Sequence, residues 1–499
     1  MIGGVREFAT TVATTPASSA ASPPAFDARS LAAAVGGRLL RNSSRPIVGA
    51  GVDSRLLEPG NAFFALPGER TDGHHHLADA VAHGAAALIV SRSLSDAALD
   101  ELAGNGDGAT AVIGVEDGLA ALHAAAADWR ARFTPLVVGV TGSLAKTSTK
   151  EQIAEVLSER YVVLRNNANE NNEIGLPLTL LRLAPEHEVA VLEMGMYVPG
   201  DIGQLARLAR PSIGVVTAVR GTHLSRAGSI EAIERGKREL VEELPAGGTA
   251  VLNADDQRVM AMAEYLPPAV TAITYGFSPS ADVTGTELTS RAEAGMSFIL
   301  RDGAGQVTVT SPALGRHGVH NALAAAAVGL AAGLDLQQIA AGLRRPVSAP
   351  HRSVLLDLGA WRILDDTYNA APDSMVAALD LLATLSGRRV AVLGEMLELG
   401  QASQQAHLDV GTHAAGCVDL LVCVGQAAAG YAEGAARGGL PEPAIARVDD
   451  LAAALDHLLD NLRDGDVILL KGSRGAALDV LVAELEAAAG GGQSGAAAK

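Results

Sequence analysis

Apolar residues along this chain gather in short unbroken runs, and between the runs they recur every three or four positions. Unbroken runs bounded by turn residues predict strands buried on both faces, and the wider spacing predicts amphipathic helices. Between 135 and 345, apolar runs at 136–140, 189–194, 213–217 and 250–253 alternate with helical stretches at 146–160, 229–243 and 321–332. Such alternation predicts parallel strands with crossover helices on both faces. Pro346 and Pro350 punctuate a linker, after which the pattern restarts. Strands are expected at 389–393, 420–424 and 467–470, with helices at 374–385, 404–416, 451–462 and 476–487. This predicts a second doubly wound, Rossmann-like unit. Ahead of both, strands at 62–66 and 87–90 suggest a small mixed α/β domain. The expected organisation is α/β with three domains, 25–134, 135–345 and 346–487, between a disordered tail at 1–24 and a flexible tail at 488–499.

Length and charge narrow the classes. A chain of 499 residues exceeds what one hydrophobic core usually serves. The net charge of −18 argues against broad binding to nucleic acid or anionic membranes, so an anionic ligand must be met by specific residues. The longest apolar stretches, such as 322–334, contain glycine and stop short of the roughly 20 residues of a membrane span. No secretory pattern opens the chain, and a cytoplasmic monomer is expected. Cys417 and Cys423 have neither the number nor the spacing of a disulfide framework or zinc site, and read as buried reduced thiols.

The most informative stretch runs from Val137 to Glu151 and reads as strand, tight turn and helix. Turn amides and the positive end of a helix dipole cradle phosphate oxygens. The turn Gly142-Ser143-Leu144-Ala145 precedes Lys146, a mobile cation, and Thr147-Ser148, whose first hydroxyl suits magnesium. Ala145 departs from the glycine usual before that lysine, and the bland alternative is a plain strand-to-helix connection. Glu193 closes an apolar run at the carboxyl edge of the sheet, where ligands bind and a carboxylate can hold magnesium. His223 and Lys237 follow; singly, each would read as a packed or solvated residue. The amide-rich segment 166–175 suits orientation of polar substrate groups, or is a surface turn, and 365–372 resembles an active-site loop or a solvated acidic turn.

In combination and order, these residues resemble the Mur ligases, ATP-dependent peptide synthetases of the peptidoglycan precursor. The likeness spans 52–482. It rests on Asp53-Ser54-Arg55, Thr141-Gly142-Ser143 with Lys146-Thr147, Asn171 to Leu181, Glu193-Met194-Gly195, His223-Leu224, Lys237, Gly315-Arg316-His317, Arg352, Asp365 to Pro372 and Lys471 to Arg474. The Tyr368-Asn369 loop points to the branch that joins D-alanyl-D-alanine to a UDP-N-acetylmuramoyl-tripeptide. Alternatives are a tripeptide-forming or folate-polyglutamylating member, or a non-catalytic nucleotide-binding scaffold. The resemblance implies that 142–148 hold ATP with Asn253, His317, Asn321, Arg352 and Asp366. It implies that Thr147, Glu193, His223 and a carbamoylated Lys237 hold magnesium, and that Lys146 acts with them in catalysis. Ser54, Arg55, Asn171, Asn172, Tyr368, Asn369 and Lys471 would contact the peptide and nucleotide-sugar substrates. The implied chemistry overcomes the poor electrophilicity of a carboxylate: ATP converts it to an acyl phosphate, which the dipeptide amine attacks. A second departure is Ala371, where the family more often has asparagine.

Overall fold

This computed structural model describes residues 25–68, 71–104, 106, 109–167, 169–221, 228–347 and 349–495. The expected tail at 1–24 and His223 lie outside the described residues.

Each of the three regions builds one sheet. The first has five strands in the order Arg38–Arg41, Ala111–Gly114, Ala87–Val90, Asn61–Phe64, Gly49–Gly51, antiparallel only at the Arg38–Arg41 edge. The central sheet has nine strands. Seven run parallel: Val163–Arg165, Val189–Glu193, Leu136–Thr141, Ile213–Val216, Thr249–Asn253, Thr271–Gly276 and Val283–Ser290. Every residue of Val189–Glu193 is buried, as expected of a strand covered on both faces. The pattern did not reveal the antiparallel meander completed by Met296–Arg301 and Gln306–Ser311, whose half-polar strands lack unbroken apolar runs. The last sheet has six strands, with Val354–Asp357 antiparallel at its edge and Arg362–Asp365, Val467–Lys471, Arg389–Leu393, Leu420–Val424 and Ile445–Val448 parallel in that order. Its closing helix, Leu478–Gly495, continues beyond residue 487, where sequence pattern alone predicts a flexible tail.

One apolar cluster joins the first region to the second. Phe26, Leu31 and Trp129 pack in the same core as Leu176, Ile202 and Leu240, and the Trp129 indole donates to the Leu183 carbonyl at 3.0 Å. The last region meets the central one through polar contacts that include Arg220 with Asp373 at 2.7 Å and Arg362 with Glu293.

Candidate active site between the central and last domains

The carboxyl ends of the central strands open into a cleft of about 800 Å³ whose opposite wall comes from the last domain. That is where ligands bind in open α/β sheets. At the end of Leu136–Thr141, Gly142 has φ +148°, and a Cβ there would lie 1.9 Å from Thr217 Oγ1, so only glycine fits. The turn ends at Ala145, in the left-handed region at φ 62°, and helix Lys146–Leu157 begins with no side-chain cap. Its first-turn amides are therefore open to a ligand, as a phosphate site requires.

The glycine usual before such a lysine thus has a physical cause here, and Ala145 bears the cost. Ala145→Gly is expected to stabilise the fold by about 0.5–1 kcal/mol, because the left-handed penalty of an alanine exceeds glycine's extra freedom in the unfolded chain. A thermal melt with and without ATP checks this; a lowered midpoint would contradict it.

Lys146, Glu193 and Lys237 all line the cleft. Glu193 is buried and doubly held: Thr147 Oγ1 donates to its Oε2 at 2.6 Å and Asn171 Nδ2 to its Oε1 at 2.7 Å. Its backbone is clamped by Asn166, which accepts from Glu193 N–H at 2.9 Å and donates to its carbonyl at 3.1 Å. Asn171 and Asn172 face the cleft as expected, but Asn166 is fully buried and serves the protein rather than a substrate. Behind it, the fully buried Lys150 donates to the Asn166 carbonyl at 2.5 Å and pairs with Glu151 at 2.7 Å. Lys150 follows Lys146 by one helical turn, and only the fold shows that it turns into the core.

Lys237 falls on the buried face of helix Ile230–Glu242, with Ile233, Gly236, Leu240 and Val241. Burial, and then the nearby Lys146 cation, hold its amine well below the usual lysine range. Lys146 is also lowered, by burial first, with the Glu193 carboxylate opposing and the Arg352 cation adding to the shift. Asn253 departs from expectation. It does not line the cleft; its amide donates to the Thr217 carbonyl at 2.7 Å and its oxygen meets His320 at 3.1 Å. Its place is to brace the strand end beside the turn at Gly142.

The opposite wall carries an ion pair between the buried Lys471 and the partly buried Asp366 at 2.6 Å, and Lys471 also donates to the Asn369 carbonyl at 3.0 Å. Arg352 lies 3.9 Å from the centre of the Tyr368 ring, a cation–π contact. His317 and Asn321 reach the cleft from helix Gly315–Ala331. Burial lowers the His317 imidazole, with Asp366 pulling up and Lys471 down. Sequence reading gave no site role to Tyr197, Val198 or Leu397, which bring exposed apolar surface to the cleft. The only signal was their place just after Gly195 and Met396. Ser54 and Arg55 are elsewhere: Ser54 is buried in the turn Ser54–Leu56, and the exposed Arg55 pairs with Asp53 at 2.6 Å. That hydrogen-bonded pair holds the Asp53 carboxyl down at about 2.

Ala371 is the N-cap of helix Pro372–Ala383 and offers it no side-chain bond. Asparagine is among the strongest N-cap residues, which gives this departure a structural meaning. Ala371→Asn should raise stability by about 1 kcal/mol. Urea denaturation measures it, and a loss would mean that the cleft-side pocket at Ala371 is too tight for an amide.

A glycine-dependent turn on one parallel sheet, faced across a cleft by a lysine–aspartate pair on another, is the arrangement of a nucleotide-binding α/β enzyme working between domains. Family profiles match in order along the chain: "Mur ligase family, catalytic domain" over 46–130, "Mur ligase middle domain" over 140–329 and "Mur ligase, glutamate ligase domain" over 351–474. The chain belongs to the Mur ligase family. Among its relatives, it is 38% identical to the UDP-N-acetylmuramoyl-tripeptide--D-alanyl-D-alanine ligase of Synechocystis sp., over 87% of this chain and 90% of that protein. Among solved structures it is similar to MurF from Acinetobacter baumannii, at a TM-score of 0.82 and 30% identity, covering 93% of this chain and 100% of that one. It is also similar to MurF from Thermotoga maritima in complex with ADP, at 0.75 and 26%, covering 89% and 98%.

Proposed function

We propose that this chain joins D-alanyl-D-alanine to UDP-N-acetylmuramoyl-tripeptide at the expense of ATP, giving the pentapeptide precursor of peptidoglycan. The observation that carries this reading is the cleft, which puts the uncapped helix start and Lys146 opposite Arg352, Asp366 and Lys471. The ligase activity of relatives that match nearly nine-tenths of the chain supports it. In this reading the helix amides and Lys146 bind the triphosphate. Arg352 and His317 meet it from the sides, and Asp366, oriented by Lys471, receives the ribose. The turn at Ser54 and Arg55 in the domain 25–134 holds the nucleotide end of the sugar substrate. Asn171, Asn172 and Asn369 orient the peptide, and the apolar surface of Tyr197, Val198 and Leu397 excludes water from the acyl phosphate. Among the described residues no helix is long and apolar enough to cross a membrane.

The donor set fits magnesium. Thr147 and Glu193 present hard oxygens 2.6 Å apart, close to the roughly 2.9 Å edge of an octahedral magnesium shell. Thr147, Glu193, His223 and a carbamoylated Lys237 would hold the ion, which supplies charge neutralisation at the transferred phosphoryl group. Only a neutral amine adds carbon dioxide, losing one proton and gaining a carboxylate, and the Lys237 amine is held toward its neutral form. Lys237→Ala is expected to lose most turnover and to recover part of it with added acetate or another short-chain carboxylate. Unchanged activity in the variant would sink this role.

Phosphate release from ATP, with mass spectrometry of the sugar-nucleotide product, tests the function. Product formed only when both UDP-N-acetylmuramoyl-tripeptide and D-alanyl-D-alanine are present is the expected result. ATP binding without turnover on either the diaminopimelate or the lysine tripeptide would point to another amine substrate or to a scaffold.

A further inference from the structure

The last domain carries a second group of ligating side chains, none of which lines the cleft. Asp380 comes from helix Pro372–Ala383, His413 from the last turn of helix Ser403–Ala414, and Cys417 from the segment that follows. Their ligand atoms all lie within 4.8 Å of one another, and His413 Nε2 is 2.7 Å from Asp380 Oδ1. We propose that Asp380, His413 and Cys417 bind a thiophilic divalent cation of the zinc or cobalt class.

The chemistry and the exposures agree. Carboxylate, imidazole and thiolate are the three ligand types that zinc accepts in tetrahedral sites, with bonds of about 2.0–2.3 Å. Such a shell spaces its ligand atoms roughly 3.3–3.8 Å apart, so the Asp380–His413 hydrogen bond at 2.7 Å opens slightly and the wider separations, at most 4.8 Å, close slightly. The Asp380 side chain is 61% exposed and free to supply that movement. Cys417 is buried at the edge of the core and His413 is partly exposed, which leaves the solvent side for a water as fourth ligand. Burial, and then the Asp380 carboxylate, push the Cys417 thiol up, against the pull of Arg389. On binding, the thiol proton leaves to solvent and one sulfur–metal bond forms.

Chain spacing hides this group, because Asp380 arrives only through the packing of the two helices. The same helix carries Ser374 and Ala377 into the wall of the cleft. A bound cation would therefore tie a wall of the cleft to the neighbouring helix.

Cobalt(II) alone, titrated into the metal-stripped full chain under a non-chelating reductant, tests the site. The expected result is a thiolate-to-cobalt charge-transfer band that saturates at one ion per chain. It is lost in Cys417→Ser, kept in Cys423→Ser, and weakened at least about ten-fold in affinity in both Asp380→Asn and His413→Gln. Circular dichroism checks the fold of each variant. Should Cys417→Ser fail to fold, the two substitutions at exposed ligands decide alone. No band up to millimolar cobalt, a band that survives Cys417→Ser, or unchanged affinity in both Asp380→Asn and His413→Gln overturns the proposal.

Discussion

Lys146→Met is expected to reduce ATP-dependent ligation at least about a thousand-fold while making the folded chain more stable. The two effects share one cause. Lys146 stands at the uncapped start of a helix, where burial first and then the Arg352 cation lower its amine, and where its own charge adds to the burial that lowers Lys237. A triphosphate would neutralise this positive field, and without it the cations repel one another in a partly desolvated cleft. Folded-state values below the unfolded value mean that the unfolded chain binds more protons over that window, so wild-type stability rises with pH toward the lysine range. The methionine variant should melt higher at neutral pH and show a weaker rise. Phosphate release and melts at neutral and alkaline pH measure both halves. A variant that keeps turnover would remove Lys146 from the mechanism, and one that melts lower would mean that its attraction to the Glu193 carboxylate outweighs the repulsion.

Lys150→Met should destabilise the central domain by about 3 kcal/mol, the low end for breaking a buried ion pair. The lysine is fully buried, pairs with Glu151 and donates to the Asn166 carbonyl. Its removal leaves that carbonyl without its donor and Glu151 dependent on Arg165, 3.0 Å away, which is why the low end applies. Asn166 clamps both backbone polar groups of Glu193, so turnover should fall with stability. The double substitution Lys150→Met, Glu151→Leu removes the stranded carboxylate and should recover much of the stability but little of the turnover. Urea denaturation followed by a probe in the central domain, beside phosphate release, separates the two. A single-variant loss below about 1 kcal/mol would mean that the pair contributes little.

Much of this molecule was legible along the chain. Where a strand is buried on both faces its sequence is an unbroken apolar run, and Val189–Glu193, Arg389–Leu393 and Leu420–Val424 are recognisable for that reason. The strand, glycine-dependent turn and uncapped helix from Leu136 to Leu157 were equally legible, because a candidate phosphate loop needs its amides, glycine and lysine to follow one another in the chain. The meander after Thr271–Gly276 was not, since strands with one half-polar face leave only a weak alternation. Position 371 looked like a loop variation until the fold made it a helix cap.

Sequence by itself determined the α/β class and the order of the elements, because those follow from local periodicity, and most of the candidate residues it singled out, by motif or by family resemblance, line the cleft. Tertiary structure alone decided which polar residues face a ligand and which hold the scaffold. Asn166, Lys150 and Asn253 have the composition of binding residues, yet they turn inward to brace Glu193 and the strand end. The direction of a polar side chain is set by whichever buried partner satisfies its hydrogen bonds, and those partners come from remote parts of the chain. For the same reason Asp380, His413 and Cys417 meet only when two helices pack.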